Sequence, residues 1–169
     1  SRENQGELFE AFTQYQEVVK MYPFSDRSAE IVEKQYEIGV RLLDGQDVRP
    51  GMLGLMAGGD DRVIDVFQTV IKNAPYGEFA APAQYKIGLY LMEKQLYQEA
   101  RDEFEKLVND YPDSEWAKAA KYQIALTDAQ RSSEAQYDQK ITQAAVEEFE
   151  EFVENNPDAQ LSNEAKEQI

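Results

Sequence analysis

Histidine and cysteine do not occur anywhere in these 169 residues. Their absence excludes Ser-His-Asp and Cys-His nucleophile arrangements, histidine or cysteine metal sites, and structural disulfides. It does not choose a compartment, because a reducing cytosol and an oxidising periplasm both suit a chain without thiols. Cations are scarce too: Lys+Arg 17 against Asp+Glu 33 gives a net charge of −16. That charge opposes nucleic acid and anionic lipid headgroups, which are bound mainly through cationic side chains. Long apolar runs are also missing. The longest uncharged stretch, Pro50 to Gly59, is far short of the ~20 apolar residues of a spanning helix. The opening "SRENQGELFEAF" has no apolar signal core, so a soluble chain is expected. "GQD" and "GGDD" lack the alternating acids of a calcium loop, and no phosphate loop or cofactor fingerprint is present, so neither metal nor cofactor is expected. The glutamates of "EEFEEFVE" read as a solvated helix face, with a retaining-glycosidase pair left open by sequence alone.

What is present is repetition. Four prolines, Pro23, Pro75, Pro112 and Pro157, each follow an apolar run. Eight residues before them stand Tyr15, Phe67, Phe104 and Phe149, and twelve before stand Ala11, Val63, Ala100 and Ala145. After three of the prolines comes a tyrosine and, three residues on, a small residue: Tyr36 and Gly39, Tyr85 and Gly88, Tyr122 and Ala125. Within "QYKIGLYLMEKQLYQEARDEFEKLVNDYPDS" apolar residues recur at three and four, the signature of two amphipathic helices. Small residues at Gly88 and Ala100 are expected to bring two helix backbones close, with Phe104 filling the adjoining space. Pro112 cannot continue a helix, and Asp113 or Ser114 can cap the next one.

This spacing is that of the tetratricopeptide repeat, stretched from 34 residues to 37 between Pro75 and Pro112. The fold class expected is all-α, a tetratricopeptide-repeat superhelix of about eight helices near 3–21, 26–43, 61–73, 79–94, 97–110, 114–132, 139–155 and 159–169. Residues 1–169 are expected to form a single solenoid. The first and last helices lack repeat partners, so the chain reads as a fragment of a longer array whose cut ends could dimerise.

In such arrays the first helix of each pair lines the concave face. The side chains at minus three, plus one and plus four from the small residue are Tyr36, Val40 and Leu43; Tyr85, Leu89 and Met92; Tyr122, Leu126 and Ala129. This stripe could hold an extended peptide or a partner helix, or else pack between neighbouring helices. The loop "RPGMLGLMAGG" sets Met52, Leu53, Leu55 and Met56 among glycines, which suits adaptable partner binding or a plug that folds back into the core.

The run "APYGEFAAPAQYKIGLYLMEKQLYQEARDEFEKLVNDYPDSEWAKAAKYQIAL", followed by "YDQKITQAAVEEFEEFVENNPDAQLSNEAKEQI", resembles outer-membrane assembly lipoproteins of the BamD (ComL, YfiO) type. The marks are the joint Tyr111 to Ser114 and the extension from Tyr137-Asp138-Gln139 through Thr142 to Phe149, Phe152 and Pro157. The Met-Leu loop and the longer joint after Pro23 depart from the family pattern. The resemblance implies a non-enzymatic scaffold on the periplasmic face of the outer membrane, tethered by an N-terminal lipid on a cysteine that this chain does not include. It implies as partners the periplasmic domains of a BamA-like barrel insertase, other assembly lipoproteins and unfolded outer-membrane protein segments. Two other readings stand beside it: a soluble periplasmic Tol-Pal coordinator of the YbgF type, and a generic tetratricopeptide adaptor.

Overall fold

The computed structural model describes residues 2–45, 62–131 and 138–157. Among them are seven helices and no strand: α1 (Arg2–Met21), α2 (Ser28–Asp44), α3 (Arg62–Asn73), α4 (Ala80–Glu93), α5 (Tyr97–Asp110), α6 (Glu115–Arg131) and α7 (Asp138–Asn155). The chain divides into two compact units, Ser1–Gln95 and Leu96–Ile169. The eighth helix expected, at 159–169, lies outside the described residues, as does the loop carrying Met52, Leu53, Leu55 and Met56.

Three of the anchor prolines make the same turn. The carbonyl before each proline accepts a hydrogen bond from the N–H two residues after it: Tyr22 from Ser25 at 3.2 Å, Ala74 from Gly77 at 3.1 Å, and Tyr111 from Ser114 at 3.0 Å. Each is a β-turn with proline at its second position, where the ring's fixed φ is already correct. At the third joint the Ser114 hydroxyl also accepts the Trp116 N–H at 3.2 Å, so of Asp113 and Ser114 it is the serine that caps α6. The residue after each proline is the turn tip, which is why Phe24 and Tyr76 are 97% and 98% exposed.

In the first unit α1 packs on α2, α2 on α3 and α3 on α4, while α1 also reaches α3 and α2 reaches α4. The tightest point is Gly39 on α2. A Cβ built there would lie 2.7 Å from Cε1 of Phe67 on α3, a distance no carbon pair tolerates. Only glycine lets the ring approach the helix backbone this closely. Phe67 and Val63 are thereby fully buried, each side chain contributing roughly 1.5–3 kcal/mol of transfer free energy. Tyr36 meets the same ring edge-on, its centroid 5.9 Å away, and lies 5.1 Å from Phe79 on its other side.

A knot of three amides ties the same unit. Gln35 on α2, with no exposed surface, donates to Gln16 Oε1 on α1 at 3.0 Å and accepts from Asn73 Nδ2 on α3 at 2.9 Å. Asn73 also donates to Gln16 Oε1 at 2.8 Å. A buried amide without such partners would cost about 1–3 kcal/mol, so these bonds fix which helix faces meet.

The second unit is built on α6, which packs against α5 on one side and α7 on the other. Ala100, Phe104 and Leu107 of α5 are fully buried, as are Ala119 and Ala120 of α6. On α7, Phe149 stacks on Tyr122 with centroids 5.2 Å apart and planes 18° from parallel. Arg101 on α5 donates through Nε to Asp128 on α6 at 2.8 Å and also pairs with Glu105. Its pKa is raised, first by the hydrogen bond to Asp128, against burial. Both partners are partly exposed, so the bridge contributes at most about 1 kcal/mol.

Two stability predictions follow from these features. Gly39→Ala gains about 1 kcal/mol of helix propensity but drives a methyl into Phe67, an overpacking cost of about 1–3 kcal/mol. The expected result is net destabilisation in urea, with Phe67→Leu costing less in the Gly39→Ala background than in the parent; equal costs in both backgrounds would show that the ring does not hold the glycine. Gln95, just past the end of α4, has φ +61°, a left-handed conformation that penalises any side chain by roughly 1–2 kcal/mol. Gln95→Gly should raise Tm by about 2–4 °C in differential scanning calorimetry.

Candidate functional site

Each helix pair offers a ligand the outer face of its first helix. On α2 the three expected positions divide: Tyr36 is 5% exposed, whereas Val40 and Leu43 are half-buried. On α4 the same division holds, with Tyr85 2% exposed and Leu89 and Met92 half-buried. The two tyrosine rings are interior, and the reachable part of the stripe in the first unit is aliphatic. In the second unit Tyr122 and Leu126 of α6 are half-buried and Ala129 is exposed. Tyr122 spends one ring face on Phe149. The Met-Leu loop proposed as a partner surface falls outside the described residues.

The sequence reading missed a row of acids beside this stripe. One residue beyond Leu43 and Met92 come Asp44 and Glu93, each the last residue of its helix and each exposed. They occupy the same repeat position, five residues after Gly39 and Gly88; the equivalent residue in the second unit is Gln130. The Glu93 carboxyl is pushed above the usual carboxylate range, first by partial burial and then by the negative charge of Asp44, with Lys86 opposing. Counting plus one and plus four from the glycines finds the apolar positions; counting plus five would have found the acids.

A second missed feature is the edge of the first unit. Met21, Tyr22, Phe24 and Tyr76 are all more than 60% exposed and sit in or beside the turns that end α1 and α3. The hydrogen bond from Asn73 to Gln16 holds those two helices side by side. No group of three or more acids able to hold a metal ion occurs among the described residues, and none of the described helices is long and apolar enough to cross a membrane.

Comparison with known proteins agrees with this geometry. The family described as Tetratricopeptide repeat matches residues 82–114, from the first turn of α4 through α5 to the Ser114 cap. No curated protein and no solved structure matches the chain. The match falls on the pair of helices whose spacing was read as the repeat, and the helices on either side follow the same proline turns and small-aromatic pattern. The chain is an all-α protein of tetratricopeptide-like helix pairs, carrying a recognisable tetratricopeptide repeat over residues 82–114.

Proposed function

We propose that this chain is a non-enzymatic scaffold of outer-membrane β-barrel assembly. It would bind the periplasmic domains of a BamA-like insertase, unfolded outer-membrane protein segments, or both, from a lipid anchor upstream of Ser1. The tetratricopeptide repeat supports the broader part of this reading, since such repeats generally serve as protein-interaction scaffolds. The observation that carries it is the half-buried aliphatic row Val40, Leu43, Leu89 and Met92 on the first helices of two successive pairs. A row of this kind suits a partner's helix or extended segment, which buries apolar side chains at regular spacing. The narrower assignment rests on the resemblance of the Tyr111–Ser114 joint and the run through Phe149, Phe152 and Pro157.

Binding of the chain to the periplasmic domains of the cognate barrel insertase should be measurable by calorimetry at micromolar concentration. Leu43→Asp with Met92→Asp should weaken it at least about tenfold, roughly 1.4 kcal/mol, with the helical circular dichroism unchanged because neither side chain is fully buried. No binding at high micromolar concentration would remove the assembly reading. Mass spectrometry of the N-terminal peptide of the full-length native protein addresses location separately: an acylated cysteine upstream of Ser1 is expected, and a plain signal-peptidase cut would favour the soluble Tol-Pal coordinator.

A further inference from the structure

Among the described residues α1 keeps an apolar face that is left partly open. Leu8, Ala11, Tyr15 and Val18 follow one another at steps of three and four, so they share one side of the helix. Leu8, Ala11 and Tyr15 are only half-buried, and Val18 is 42% exposed. The face runs on from the packed side of α1, where Phe12 is buried and Gln16 bonds to α2.

The repeat itself shows what belongs on such a face. Ala11, Tyr15 and Val18 stand twelve, eight and five residues before Pro23; the same positions hold Val63, Phe67 and Val70 before Pro75, and Ala100, Phe104 and Leu107 before Pro112. Those six are fully buried. In the pair of α2 and α3 the cover is a helix with a tyrosine and, three residues on, a glycine: Tyr36 meets Phe67 edge-on at 5.9 Å, and Gly39 admits the ring. In the pair of α6 and α7, Tyr122, three residues before Ala125, stacks at 5.2 Å on Phe149, eight before Pro157. Tyr15 holds the corresponding place on α1, and no ring stacks on it among the described residues. Charge narrows the choice of occupant. Glu7, Glu10 and Gln14 are exposed along the solvent side of the face, so a helix laid there meets carboxylates at its edge and gains from lysine or arginine. A second copy of this chain, of net charge −16, is repelled.

We propose that the open face of α1 docks an amphipathic helix of a partner protein. That helix presents an aromatic residue and, three residues on, glycine or alanine toward Tyr15 and Ala11, with basic residues along the edge beside Glu7 and Glu10. It takes on α1 the place that α2 holds on α3. The surface lies on a different helix from the aliphatic row Val40, Leu43, Leu89 and Met92, and it does not depend on that row.

Because the chain has no cysteine, Val18→Cys in the full chain takes a single polarity-sensitive fluorophore. The probe is a peptide of the α2 sequence, Ser28–Asp44, with Glu33→Lys and Glu37→Lys to suit the acidic edge. A saturable blue shift is expected at micromolar peptide. Gly39→Leu in the peptide, or Ala11→Leu in the chain, should weaken binding at least about tenfold, since the added bulk holds the two backbones apart. The peptide change leaves the chain untouched, and leucine raises helix propensity over glycine, so weaker binding there is neither misfolding nor lost helicity. A mere apolar patch gains from added leucine; tighter or equal binding of the Gly39→Leu peptide therefore overturns the proposal. Absence of any shift overturns it too, as does a label that is already blue-shifted in the full-length native protein and indifferent to the peptide. Each of these results leaves the aliphatic row standing.

Discussion

The contact between the Phe67 ring and the bare backbone at Gly39 sets the spacing of the first unit. Without a Cβ on α2, α3 can approach until the Phe67 ring lies against the helix at Gly39, and the ring is wholly buried. The same ring then becomes the floor for Tyr36, which in turn meets Phe79 ahead of α4. Successive elements are thus connected through aromatic contacts that begin at one missing methyl. An interior packed this closely resists a change of even one carbon.

Charge works against cohesion nearly everywhere else. The pairs Lys20 with Glu17 and Lys34 with Glu37, each within one helix, are solvent-exposed and contribute a few tenths of a kcal/mol. The bond from Arg101 to Asp128 joins two helices, α5 and α6. A chain with so large an excess of acid is held by its apolar contacts and amides. Its acidic surface suits cationic partners and disfavours self-association at low ionic strength.

Much of this was legible from the residues, and for a local reason. Proline at the second position of a turn, a capping serine and a three-four apolar period are all short-range signals, so each described helix ends within two residues of its expected bounds. The pairing of Gly39 with Phe67 was implicit in the small-aromatic spacing. What was hidden depends on relations across helices. The amides of Gln16, Gln35 and Asn73 are separated by 19 and 38 residues, and nothing in their neighbours marks them as buried. Tyr36 and Tyr85 fit a binding stripe and an interior equally well by spacing; only the positions of adjacent helices place their rings inside. Asp44 and Glu93 looked like ordinary surface acids until the ends of α2 and α4 were seen to share a register.

The amide knot bears on where this unit can be cut. A tetratricopeptide array is often regarded as divisible at its helix pairs, each pair folding against the next. Here Gln35 and Asn73 sit on one pair, α2 and α3, while Gln16 comes from α1, the helix before it. A truncation that begins at Ser28 would remove Gln16 and leave the amide hydrogens that Gln35 and Asn73 give it to water instead. The polar contacts of this pair therefore extend to α1, and a cut between the pairs breaks two of the three bonds in the knot.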